Sequence, residues 1–163
     1  MFEGTSDKLL SDIDLARVTL QSKWLRSFGQ SRLIFRTELG ALATDNFTQV
    51  PSSLRFFAGG DQSVRGFGYQ TLAPRNSEGE LIGGRYLYTG SVEYAYPFAD
   101  NWRLAMFIDA GNAGDEMFDN PATGYGLGIH WSTVVGPVRV YLARGENEIE
   151  NTWRMHFSLG GAL

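Results

Sequence analysis

The chain contains no cysteine. That excludes a disulfide framework and a thiolate metal site, and it is compatible with any compartment, the cell envelope included. Basic charge is scarce as well: 14 Lys and Arg stand against 18 Asp and Glu, a formal net charge of −4. Phosphate binding needs lysines and arginines clustered on one face, so nucleic acid is not an expected partner. No stretch approaches the roughly 20 apolar residues that a membrane-spanning helix requires. Residues 1 to 30 lack a basic segment followed by an apolar run and a small-residue cleavage site, so they hold no export signal and the sequence reads as a mature piece. Enzyme signatures are missing too. There is no Gly-x-Ser-x-Gly elbow, phosphate-binding loop or His-Glu-x-x-His helix. The two histidines, His130 and His156, fall on the polar side of alternating segments and read as wall residues rather than a catalytic pair. The acidic run Asp115, Glu116, Asp119 and Asn120 has no defined ligand spacing for calcium and reads as a solvated loop. No enzymatic activity, cofactor or metal is expected.

What the chain does contain is 20 glycines and 13% aromatic residues, a composition of short strands and tight turns. Period-two alternation supports this along most of its length. Tyr86, Tyr88, Val92, Tyr94 and Tyr96 oppose Arg85, Thr89, Ser91 and Glu93. Trp102, Leu104, Met106, Ile108 and Ala110 oppose Arg103, Ala105, Phe107, Asp109 and Gly111. Tyr125, Leu127, Ile129 and Trp131 oppose Gly124, Gly126, Gly128, His130 and Ser132. Val138, Val140 and Leu142 oppose Arg139, Tyr141 and Ala143, and Trp153, Met155, Phe157 and Leu159 oppose Arg154, His156, Ser158 and Gly160. Upstream, Val18, Leu20 and Trp24 face away from Arg17, Thr19, Gln21 and Lys23, and Leu33, Phe35 and Leu39 from Arg36 and Glu38. A short segment at Leu54 to Ala58 brings the expected count to eight strands. The longest connection runs from about Gly59 to Gly84, far beyond a hairpin turn and therefore expected to be functional.

An all-β chain of this kind can be a soluble sandwich, with the apolar faces packed together, or a membrane barrel, with the apolar face in lipid. Trp24, Tyr86, Tyr96, Trp102, Trp131 and Trp153 stand at strand ends on the apolar side, where an interfacial aromatic girdle lies. Alternation also reconciles a membrane strand with the slightly negative mean hydropathy.

Four ordered motifs narrow the choice: Phe56 to Phe67, reading Phe-Phe-Ala-Gly-Gly-Asp-Gln-Ser-Val-Arg-Gly-Phe; Phe107 to Gly111; Gly126 to Trp131; and Val135 to Val140. Together they resemble the BamA/TamA superfamily of outer-membrane assembly and translocation barrels, over nearly the whole chain from about residue 12. The Arg55 to Asp61 lead-in and the Val135-Gly136-Pro137 strand start look closest to the TamA branch.

The resemblance implies an antiparallel transmembrane β-barrel of sixteen strands, of which residues 1–163 would be the C-terminal half, strands nine to sixteen. It implies that the 59–84 loop folds into the lumen and that Arg65, followed by Gly66 and Phe67, pairs with Asp109. On residue chemistry, Phe107 offers a ring for the guanidinium, Glu93 a second acceptor, and Gly66 a positive φ. The resemblance implies that the last strand, with Trp153, Met155, Phe157, Leu159 and Gly160, forms a weak seam and an insertion signal. The implied partners are outer-membrane lipid, client outer-membrane proteins and a TamB-like inner-membrane-anchored protein. Two open edges suggest that the isolated chain pairs with a twin to close a sixteen-stranded barrel. The alternatives are a dedicated secretion pore, including a patatin-type autotransporter barrel, and a passive channel or structural barrel.

Overall fold

In the computed structural model, residues 2–5 and 15–160 are described. One antiparallel sheet carries the fold. It consists of a four-residue strand β1 (Phe2–Thr5) and seven long strands: β2 (Leu15–Phe28), β3 (Ser31–Thr44), β4 (Tyr86–Ala99), β5 (Trp102–Gly114), β6 (Ala122–Thr133), β7 (Gly136–Glu146) and β8 (Asn151–Leu159). Each pairs with its neighbours in chain order, and among the described residues the outer edges of β1 and β8 have no strand partner, so the sheet is open. From β2 to β8 the strands have 9 to 14 residues, enough to cross a hydrocarbon layer when tilted.

The connections alternate in size. Gly29–Gln30, Asp100–Asn101 and Val134–Val135 make short turns at one end, while segments 45–85, 115–121 and 147–150 make longer ones at the other. Short turns on one side and long loops on the opposite side are the habit of outer-membrane barrels, with the short ones periplasmic.

Burial decides between the two architectures left open by the alternation. Met106 is 54% exposed, Ile108 54%, Leu127 56%, Leu142 52% and Phe157 59%, whereas Asp109 and Ala105 are fully buried and Glu93 and His130 nearly so. The apolar face is thus the uncovered one. A second sheet would have covered it in a sandwich; its exposure beside a covered polar face is the arrangement of a wall between lipid and lumen. Aromatic residues gather at the strand ends of the outer face. Trp102 and Trp131 stack with ring centroids 5.3 Å apart at the short-turn end, and Trp24 and Phe35 pack at the same spacing across β2 and β3. Tyr88 packs on Phe118 at the other end, 5.1 Å between centroids.

The inner face is covered by the chain itself. Segment 45–85 lies on it, and Val50, Phe56, Ala58, Val64, Phe67 and Leu72 form one core with Leu15, Leu42, Leu87, Ala113 and Ala122 of the strands. Burying side chains of this size stabilises by about 1.5 to 3 kcal/mol each, so the segment is held along much of its length.

One expected strand is not part of the sheet. Leu54 to Ala58 follows a 3₁₀ turn at Ser52–Leu54 and forms only isolated bridges, Phe56 with Gly84 and Ala58 with Leu72. Its alternation is real, since Phe56 and Ala58 are buried, but the partners lie within the segment rather than on β3. Arg55 fixes this path by donating to the carbonyls of Val50 at 2.9 Å, Ile82 at 2.8 Å and Thr48 at 3.1 Å. The irregular connection therefore begins at residue 45, earlier than the expected 59.

Candidate functional site

The turn Val64 to Phe67 is the most deeply covered part of the segment: Val64 is 0% exposed, Arg65 1% and Phe67 1%. Arg65 reaches three strand residues whose side chains all point inward by period two, Ser91 and Glu93 on β4 and Asp109 on β5. Because Ser91 pairs with Asp109 and Glu93 with Phe107 in the β4–β5 register, the four inward side chains form one compact patch. Arg65 Nε donates to Asp109 Oδ2 at 2.7 Å and Nη2 to Oδ1 at 2.8 Å, a two-pronged grip that only a planar guanidinium makes. Its Nη1 is ion-paired with Glu93, Nη2 also meets Ser91 Oγ at 3.2 Å, and the Arg65 amide donates to Asp109 Oδ2 at 3.0 Å. The face of the guanidinium lies 3.5 Å from the Phe107 ring centroid and 4.7 Å from that of Tyr141. Burial disfavours the charge on Arg65, but hydrogen bonding and attraction from Asp109 and Glu93 outweigh it and hold its pKa above the ordinary guanidinium value.

A second ring of contacts keeps the carboxylates in place. Tyr141 on β7 donates to Glu93 Oε1 at 3.2 Å and is itself 2.8 Å from His130 Nε2 on β6. Its ring meets Phe107 edge-on, 5.5 Å between centroids at 89°. Arg36 on β3 donates to Ser91 Oγ at 3.1 Å and to the Asp61 carbonyl at 3.4 Å. The side chains around the turn thus spread over β3, β4 and β5, with His130 of β6 and Tyr141 of β7 behind them.

Backbone proximity explains two glycines. Gly66 has φ +98°, and a Cβ there would stand 2.5 Å from the Gly145 nitrogen on β7. Gly124 on β6 lies under the turn so closely that its Cβ would be 1.9 Å from the Arg65 carbonyl oxygen. The turn rests on bare backbone of two strands.

The structure brings Arg65, Gly66, Phe67, Phe107, Asp109 and Glu93 together in this one place. The residues of the last strand lie elsewhere: Trp153, Met155, Phe157 and Leu159 are on the outer face and exposed. Gly160 ends β8 with φ +86° and donates its amide to the Pro137 carbonyl at 3.0 Å. The terminal Gly161 to Leu163 fall outside the described residues. Sequence reasoning did not single out Tyr141, Ser91, Asp61 or Gly124. Tyr141 and Ser91 carry the inward parity, yet nothing in a linear pattern says which inward residues a distant loop tip will touch. No group of three or more metal-ligating side chains occurs among the described residues.

Comparison with known proteins bears on the family and the fold. The Omp85 superfamily domain model matches residues 2–162. The outer membrane protein assembly factor BamA of Nitratidesulfovibrio vulgaris is 30% identical over 137 residues, covering 77% of this chain and 17% of that protein. The sorting and assembly machinery component 50 homolog B of Xenopus laevis is 38% identical over 73 residues, covering 38% of this chain and 15% of its own. Among solved structures, BamA from Haemophilus ducreyi lacking POTRA domains 1-3 superposes with a TM-score of 0.69 at 17% identity, covering 89% of this chain and 34% of that one, a likeness of fold. The chain therefore spans about a sixth of the length of these curated relatives. With a family model matched from end to end and a membrane-facing sheet, the chain belongs to the Omp85 superfamily as a β-barrel segment of the bacterial outer membrane.

Proposed function

We propose that this chain is the barrel segment of a factor that assembles, inserts or translocates outer-membrane proteins. The observation that carries the reading is the Arg65 turn, held by two carboxylates against the inner face of a sheet whose outer face is apolar and whose last strand, β8, has one strand neighbour among the described residues. A client strand needs an edge to pair with and a route into lipid; in this reading the β8 edge, freed at a seam, supplies the first and the exposed apolar wall borders the second. No covalent step is needed. The client's burial of apolar surface and its strand pairing drive the process, and the factor lowers the barrier at its seam. The names of the relatives, an assembly factor and a sorting and assembly machinery component, support the same class.

At finer resolution, we read the chain as the second half of a sixteen-stranded barrel. An eight-stranded barrel is filled by its own side chains and leaves no room for an inserted segment, whereas here segment 45–85 occupies the inner face. The isolated chain would then close by pairing with a twin or aggregate, and a monodisperse monomer in detergent would count against it. The Arg55 to Asp61 and Val135 to Pro137 motifs favour the TamA branch, with a TamB-like inner-membrane-anchored partner and autotransporter clients. Here Trp153, Met155, Phe157, Leu159 and Gly160 act as seam and insertion signal.

The test is photocrosslinking from Phe157 and Met155 in the full-length protein in cells. Adducts with nascent outer-membrane barrels support the proposal. Their absence, together with a stable open conductance in planar bilayers that ignores Arg65→Ala, would replace it with a passive channel; adducts with one dedicated passenger would replace it with a secretion pore.

A further inference from the structure

Gly66 has both of its backbone hydrogen-bonding groups committed to one strand. Its N–H donates to His156 Nε2 at 3.0 Å, and its carbonyl accepts from Thr152 Oγ1 at 2.7 Å. His156 and Thr152 share the inner face of β8, four residues apart, and Arg154 between them comes close enough that a Cβ on Gly68 would lie 3.4 Å from its Cζ. An amide N–H can only donate, so His156 Nε2 is the bare nitrogen; Nδ1 carries the proton and donates it to the Asp61 carboxylate. The imidazole therefore bridges two points of the same segment, Asp61 and Gly66. β8 has a single strand neighbour, β7, among the described residues, and its outer edge carries unpaired backbone groups. Among the described residues, the inner side of β8 also holds the turn through His156 and Thr152.

We propose that His156 and Thr152 are positioning residues that couple the docked turn to the order of β8, so that withdrawal of the turn from Asp109 loosens the last strand of the sheet. The coupling passes through hydrogen bonds to the N–H and C=O of one residue, Gly66. Under the assembly reading, on which this consequence rests, the turn regulates when the β8 edge is free to exchange its pairing with a client.

The experiment is hydrogen exchange followed by mass spectrometry on the full-length protein in lipid nanodiscs, reading peptides over 60–72, over β8, and over β6 as a control. Arg65→Ala is expected to accelerate exchange in 60–72 and in β8 together. His156→Phe keeps a ring but loses the acceptor, and Thr152→Val keeps the shape but loses the donor; each is expected to speed β8 exchange roughly three- to tenfold with β6 unchanged. His156→Gln, which returns an acceptor near the Nε2 position, is expected to restore most of the protection. Parental β8 exchange in both His156→Phe and Thr152→Val would overturn the proposal, as would equal effects of Phe and Gln at position 156 or a loosened 60–72 peptide beside an unchanged β8. Thr152→Val alters one hydroxyl and keeps the question open to refutation if the ring variant fails to fold. Client insertion is measured in parallel: coupling without insertion sinks the assembly reading alone, and insertion without coupling sinks this inference alone.

Discussion

Arg65 is 1% exposed and Asp109 fully covered, so each depends on the other for compensation of its charge. Removing one partner of such a pair leaves a stranded buried charge, at a cost on the order of 3 to 5 kcal/mol, while an exposed pair is worth about 0 to 1. Arg65→Ala and Asp109→Ala are each expected to destabilise the docked turn by the larger amount and to be strongly non-additive when combined, as measured by protease protection of residues 59–84. Arg65→Lys is expected to rescue little, because an ammonium cannot bond both Asp109 oxygens while stacking on Phe107. At Gly124, a side chain would enter the space of the Arg65 carbonyl. Gly124→Val is therefore expected to expel the turn with both carboxylates intact, seen as new tryptic cleavage after Arg65; continued protection would show that the turn does not rest on β6.

Among the elements, the strands and the long segment differ in how much of them the sequence shows. Strands β2 to β8 were legible because the two sides of each differ, apolar outward and polar inward, so every second residue reports its side. The pairing of Arg65 with Asp109 and Glu93 was legible through motif resemblance and inward parity together. Leu54 to Ala58 was misplaced because buried alternation looks the same whether the partner is a strand or the loop's own return at Leu72 and Gly84. Tyr141 and the Asp61, Thr152 and His156 contacts were out of reach, since they depend on how a long segment folds across the strands from β3 to β8 rather than on local period. The same two-sidedness gives a sharp test. Leu127 lies mid-strand between Met106 and Leu142 on the outer face. Leu127→Arg is expected to cost about 2 to 4 kcal/mol in lipid, as for a charge near the bilayer midplane. At an exposed site of a soluble sheet the same change would stay within about 0.5 kcal/mol; unfolding in lipid vesicles tells the two apart.

At the scale of the whole molecule, the short turns and long connections assign the two sides of the membrane. With no native cysteine, single substitutions report sidedness without background. Asp119→Cys, in the 115–121 loop, is expected to react with an impermeant thiol reagent in intact cells, and Asp100→Cys only after the outer membrane is permeabilised. Among the described residues the arrangement is one antiparallel sheet with an apolar outer face and segment 45–85 tied to its inner face by Arg65. The most direct measurement is the rate at which a purified outer-membrane barrel inserts into vesicles holding the full-length protein. The parent is expected to accelerate insertion, and Arg65→Ala, although folded, to bring the rate back toward that of empty vesicles. No acceleration by the parent, or equal acceleration by Arg65→Ala, would contradict the account.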